Sequence, residues 1–251
     1  IQQDQLALQE IGGNARLRKA LIDALYPREQ PKTEGLDLAY FYLPACGVGG
    51  NYFDFIEIDA SHIGILVGNV FEKPDVKSAI LLAMLRSAFR MASAGEPNPA
   101  KVLKAVNNFI SKENFDRFAV FSYIVCNTVK KTVSVSTAGY RPVGILKASA
   151  AKFDYLHSEG LGLGIMADTD FGISSCRLET GDLIVMCSGG VLETRNLTGQ
   201  KFRVEDMEKV VLDNRARTSA EIVDRIRKSL VSFSAGVAQQ DDITVLAVKV
   251  K

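Results

Sequence analysis

Four short stretches hold the residues whose types and spacing could do chemistry. Gly64-Ile65-Leu66-Val67-Gly68-Asn69-Val70 is an apolar run that stops at a glycine followed by a polar carboxamide. Just upstream, Gly49-Gly50-Asn51-Tyr52-Phe53-Asp54 leads into the alternating Phe55-Ile56-Glu57-Ile58. Leu183 to Cys187 runs into Ser188-Gly189-Gly190, and Gln239-Gln240-Asp241-Asp242 heads the last apolar run, from Ile243. A strand that delivers one polar side chain past a glycine is building a site, because glycine lets another backbone come close. Four strand ends carrying glycine, asparagine or aspartate could converge on one centre, and what they hold there is the functional question. Glycine, asparagine and one or two carboxylates make a poor metal cage.

The elements that must position these stretches follow from the period of the apolar residues. Leu36 to Leu43, Phe53 to Ile58 and Ile63 to Val70 read as strands, the last two joined by a hairpin at Asp59-Ala60-Ser61. Val76, Ile80, Leu81, Met84, Leu85, Ala88 and Met91 recur at helical spacing up to Gly95 and Pro97, and Pro99 opens a second helix through Ile110. Strands are then expected over Phe118 to Cys126, Thr132 to Thr137, Val143 to Leu146, Phe171 to Leu178 and Leu183 to Cys187. Two amphipathic helices, Val204 to Leu212 and Ala220 to Phe233, precede a closing strand over Ile243 to Val250. Gly160-Leu161-Gly162-Leu163-Gly164 lacks the lysine and helix start of a phosphate loop and reads as a flexible loop. Antiparallel strand groups alternating with paired helices imply an α+β fold, two antiparallel sheets packed face to face with helices on both outer faces.

Composition bounds the rest. With 251 residues, 47% of them hydrophobic, the chain can bury a large core. Thirty basic residues against 29 acidic ones give a net charge of +1, which offers no electrostatic argument for nucleic acid or for an anionic membrane surface, and neither is expected as a partner. No apolar run approaches the roughly 18 residues of a membrane span, and the first residue, Ile1, suggests a segment of a longer protein. Cys46, Cys126, Cys176 and Cys187 show no C-x-x-C spacing and read as free thiols of a reducing compartment. His62 and His157 have no partner at ligand spacing, and Asn196-Leu197-Thr198 reads as turn chemistry. From Gln2 to Tyr26 the pattern is helical, with Leu6, Leu17, Leu21 and Leu25 on one side, and Pro27 and Pro31 stop it.

Taken together, Leu25-Tyr26-Pro27, Gly49 to Phe55, Gly68 to Pro74, Ala138-Gly139-Tyr140-Arg141-Pro142, Gly181 to Thr194 and Asp241 to Thr244 form a set in order and spacing. The set resembles the metal-dependent protein serine/threonine phosphatases of type 2C, in the bacterial branch typified by SpoIIE and RsbU. Members carry G-G-D-Y-Y-D-F, G-D-V-S-G-K-G, A-G-H-x-P, a T-D-G turn and a final D-D-x-T. The resemblance implies an αββα sandwich over residues 31–251, preceded by a linker helix over residues 1–30. It also implies two Mg²⁺ or Mn²⁺ ions whose bridging water attacks a phosphoserine. Two such ions about 4 Å apart repel by on the order of 15 kcal/mol at an effective dielectric of 20, so the acidic ligands must offset that.

Here the ligand positions that the resemblance points to read Asn51, Asn69, Gly189 and Asp241, with Val70 at the position of a backbone carbonyl ligand. Only Asp241 keeps its charge; Asp54 and Asp242 stand nearby as auxiliary carboxylates. The loop after Asn69, Phe71-Glu72-Lys73-Pro74, departs as well, which fits natural degeneration better than point mutagenesis. The expectation is a pseudophosphatase with no bound cofactor, Mg²⁺ or Mn²⁺ entering only if the site works. The resemblance implies a cytoplasmic protein whose partner is a phosphorylated anti-sigma-factor antagonist. Two alternatives stay open: an active Mn²⁺-dependent phosphatase, and a structural module that forms a homodimer through the N-terminal helix.

Overall fold

The computed structural model describes residues 23–27, 29–45, 50–71, 76–113 and 116–251. Ten strands are described: β1 (Leu36–Leu43), β2 (Asn51–Glu57), β3 (His62–Val70), β4 (Ala119–Asn127), β5 (Thr132–Ala138), β6 (Val143–Leu146), β7 (Asp154–Leu156), β8 (Ser174–Arg177), β9 (Leu183–Cys187) and β10 (Ile243–Val250). They form two five-stranded sheets, ordered β1-β10-β9-β6-β7 and β2-β3-β4-β5-β8, in which neighbouring strands run antiparallel. Helices α1 (Val76–Ser93) and α2 (Pro99–Ile110) cover the second sheet. The first sheet is covered by α4 (Val204–Asp213) and α5 (Ser219–Ser234), while the short α3 (Gly189–Glu193) follows β9 directly. This is the expected α+β sandwich.

Local chemistry sets the boundaries. The Asn98 side chain caps α2, accepting from the amides of Ala100 and Lys101, and Pro99 occupies the first turn, where a missing N–H costs nothing. α5 opens on a reciprocal pair in which Thr218 and Glu221 satisfy each other's backbone amides. One buried cluster fills the space between the sheets and under α1 and α2, with Phe53, Ile65, Leu66, Leu85, Phe121 and Leu246 among its members. A second, including Leu183, Val211, Ile226 and Val245, lies between the first sheet and α4 and α5.

Three local expectations change. The strand expected over Phe171 to Leu178 shrinks to Ser174–Arg177, because the Phe171 ring turns inward beneath Gly160 and the Gly172 amide bonds to the Glu159 carbonyl. β7 and α3 had no counterpart in the sequence reading. The loop from Gly160 to Gly164 is not free: Leu163 exchanges backbone hydrogen bonds with Ala119 at 2.7 and 3.0 Å, and Leu163 is fully buried. Of the leading helix expected over Gln2 to Tyr26, all but the end lies outside the described residues, as do Cys46 and the Glu72 to Pro74 loop. At that end residues 23–25 are helical, and Leu25 and Tyr26 are buried against the domain. No helix among the described residues is long and apolar enough to cross a membrane.

Candidate functional site

The four strand ends, three of them flanked by glycine, meet at one edge of the sandwich, between the sheets. Asn51 and Asn69 stand directly opposite each other in the β2–β3 register, so their side chains share a face. The Asn51 amide is already committed. It donates to the Asp242 carbonyl at 2.9 Å and to the Thr244 hydroxyl at 3.2 Å, tying the second sheet to the first. Ser188, at the end of β9, fixes the same residues within the first sheet: its hydroxyl donates to the Asp242 carbonyl and accepts from the Thr244 amide, both at 2.9 Å. Asn69 differs, because its Oδ1 is buried with no hydrogen-bond partner.

Side-chain alternation separates the two auxiliary carboxylates. Asp54 is an odd number of residues from Asn51 and therefore faces the opposite side of its sheet, under α1. There it is fully buried and held bidentately by Arg90, at 2.8 Å to each oxygen, and by the Tyr52 hydroxyl at 2.6 Å. Asp54 thus faces away from the strand-end cluster. Asp242 lies at the cluster, but both its oxygens are engaged: Oδ1 accepts from the Ala45 amide at 2.9 Å, Oδ2 from the Asn51 amide at 3.2 Å and the Tyr42 hydroxyl at 3.4 Å. Burial pushes its carboxyl above the usual range, and those amide bonds oppose the shift.

Glycine has two different roles here. A Cβ on Gly190 would stand inside the van der Waals radius of the Asp242 carbonyl oxygen, so only glycine lets α3 approach β10. Gly189 is under no such demand. A Cβ there would meet only Arg141 Nη2 at 3.7 Å and Asp241 Oδ2 at 3.9 Å. Val70 is buried, its amide bonded to the Gly50 carbonyl at 2.9 Å and its own carbonyl facing Gly50. Asp241 is half-buried; its Oδ1 accepts from the Asp242 amide at 2.8 Å, which leaves Oδ2 open. On the far side of Asp241 a cavity of about 150 Å³ opens, walled by Phe41, Leu43, Leu230, Val231 and Val237.

These residues do not fit a pair of divalent cations. An orphaned neutral carboxamide stands at position 69, no side chain stands at 189, and one carboxylate oxygen remains open. Among the described residues no group of three histidine, cysteine or acidic side chains is placed to hold a metal. The strand ends legible in the sequence do come together; the place of Arg141 beside them was not legible there. Its guanidinium lies beside Gly189 and Asp241, while its backbone carbonyl accepts from Ser122 at 2.6 Å. Close by, burial raises the Tyr140 hydroxyl above its ordinary value and pushes the Cys187 thiol up to about 11, Arg141 opposing both shifts.

This two-sheet sandwich, flanked by helix pairs and with its strand ends gathered at one edge, is the fold of PP2C-type phosphatase domains. Residues 59–251 match the family described as Stage II sporulation protein E (SpoIIE), and the chain belongs to that family. Among curated proteins it is similar to phosphoserine phosphatase RsbU of Bacillus subtilis, 28% identical over 97% of this chain and 72% of RsbU. Among solved structures it is similar to the SiaA-PP2C domain of Pseudomonas aeruginosa, with TM-score 0.80 at 17% identity over 98% of both chains. The PP2C phosphatase domain and regulatory fragment of SpoIIE from Bacillus subtilis superposes with TM-score 0.72 at 16% identity, over 88% of this chain and 64% of that one. The chain thus spans less than two thirds of that SpoIIE structure.

Proposed function

We propose that this domain is a pseudophosphatase: a PP2C-fold docking module that holds a phosphorylated regulatory protein, of the anti-sigma-factor-antagonist type, without hydrolysing it. The observation that carries the reading is the donor set. Of the positions where the family's acids would hold Mg²⁺ or Mn²⁺, Asn51 is spent bridging the sheets, Asn69 is neutral, Gly189 is bare and Asp241 alone is charged. Val70 offers only a carbonyl, and Asp54 and Asp242 are tied up elsewhere. One carboxylate cannot offset two divalent charges. Cytoplasmic partner switching is the setting the family suggests for such a module.

Calorimetric titration with Mn²⁺ tests this reading. Up to millimolar metal, no two-site binding is expected, and aryl-phosphate hydrolysis should stay at background. The similarity to a named phosphoserine phosphatase favours a second reading, an active Mn²⁺-dependent enzyme. Mn²⁺-dependent turnover that disappears in Asp241→Ala would establish that reading instead.

A further inference from the structure

We propose that the Arg141 guanidinium makes this strand-end cluster a metal-independent oxyanion site, suited to a phosphate monoester. The proposal rests on the docking reading and supplies its chemistry. Among the described residues the Arg141 side chain makes no hydrogen bond and no ion pair, although the residue is half-buried. It lies 3.7 Å from the point where a Gly189 side chain would begin, at the position where the family's acid would face the ions. Losing that acid removes a negative charge and leaves a cation with five donors facing open space. A planar guanidinium matches a phosphate group bidentately, and such charge-assisted bonds are among the stronger polar contacts.

The surroundings fit a bound ester better than an empty cage. The Tyr140 hydroxyl is buried beside the Gly189 backbone with no acceptor for its proton, an unmet donor at the same place. The apolar cavity beyond Asp241 gives a peptide carrying the phosphate somewhere to rest a flanking side chain. Asp241 Oδ2, 3.9 Å from the same Gly189 point, opposes an anion. That opposition gives the site a signature. Where cations hold the phosphate, removing the Asp241 charge weakens binding; where Arg141 holds it, removing that charge strengthens binding.

The test is calorimetric titration of the whole 251-residue chain, in chelator, with inorganic phosphate and with a phosphoserine peptide and its unphosphorylated twin. The parent should bind phosphate. Arg141→Met should lose about tenfold or more in affinity, with Arg141→Lys between the two, because a point charge lacks the bidentate fork. Gly189→Asp should lose about as much by pairing with Arg141, and Asp241→Asn should gain roughly threefold to tenfold. Melting curves of each variant show that it is folded. Preference for the phosphopeptide over its twin identifies the ester as ligand, and phosphate binding without it identifies the free anion; either supports the site. No phosphate binding by the parent, an indifferent Arg141→Met, or weaker binding by Asp241→Asn overturns it. Lack of phosphate binding leaves protein docking standing, whereas Mn²⁺-dependent turnover removes the docking reading and leaves the chelator result to stand by itself.

Discussion

Asn51 and Gly189 answer differently to a restored carboxylate. At Asn51 the side-chain nitrogen faces the Asp242 carbonyl and the Thr244 hydroxyl, so Asn51→Asp sets a carboxylate oxygen against the Asp242 carbonyl in a buried seam. In chelator it should cost about 2 kcal/mol. Gly189 has free space around it and no positive φ, so Gly189→Asp should stay within about 0.5 kcal/mol. Melting both variants decides the matter: equal losses would mean that Asn51 does not bridge the sheets. Asp242 adds a pH signature. Burial holds its carboxyl above the usual 3.8, so the folded state keeps that proton more tightly than the unfolded chain. The group's contribution is therefore fully present below the unfolded value and is lost as pH rises through the folded one. Relative to Asp242→Asn, the parent's denaturant stability should fall as pH rises above about 4.

At the scale of elements, the segment leading into the domain is tied to the strand ends by one aromatic residue. Tyr26 stacks on Tyr42 with ring centroids 4.6 Å apart, and its hydroxyl donates to the Asn51 carbonyl at 2.5 Å and meets the Tyr42 hydroxyl at 3.1 Å. Tyr26→Phe should lose about 1 to 2 kcal/mol and Leu25→Ala about 2 to 4. If both variants melt with the parent, the segment is a linker without a packing role. The sequence showed most of the elements: β6, β9 and β10 are apolar runs cut off by glycine, proline or acidic residues, and they read directly. β7 was illegible because Asp154-Tyr155-Leu156 has no alternation to follow, and α3 because it begins with two glycines, poor helix formers. The site divided in the same way. Asn51, Asn69 and Gly189 stand at strand ends next to glycine, and Asp241 stands just ahead of the last apolar run, all local signals. Arg141 sits in the link between β5 and β6, and its approach to Gly189, the first residue of α3, comes from segments distant in sequence meeting in space.

For the whole molecule, metal should matter only after the acids are rebuilt. The combined Asn51→Asp, Asn69→Asp and Gly189→Asp variant crowds carboxylates with Asp241, so in chelator it should melt below the parent. Mn²⁺ should then raise its melting temperature, because an ion that binds only the folded state stabilises by mass action. Asn69→Asp alone should respond weakly, and the parent not at all. An equal rise in the parent would show a working metal site built from other ligands. The Asn51 bridge between the sheets has a further consequence, for the rhythm of local opening. A cage organised by ions loosens when the ions leave, and its amides then exchange with solvent. Here the two sheets are fastened by a side chain of the protein itself. The Thr244 amide, bonded to Ser188, should therefore be among the slowest in the domain to take up deuterium, at the same rate with or without divalent ions.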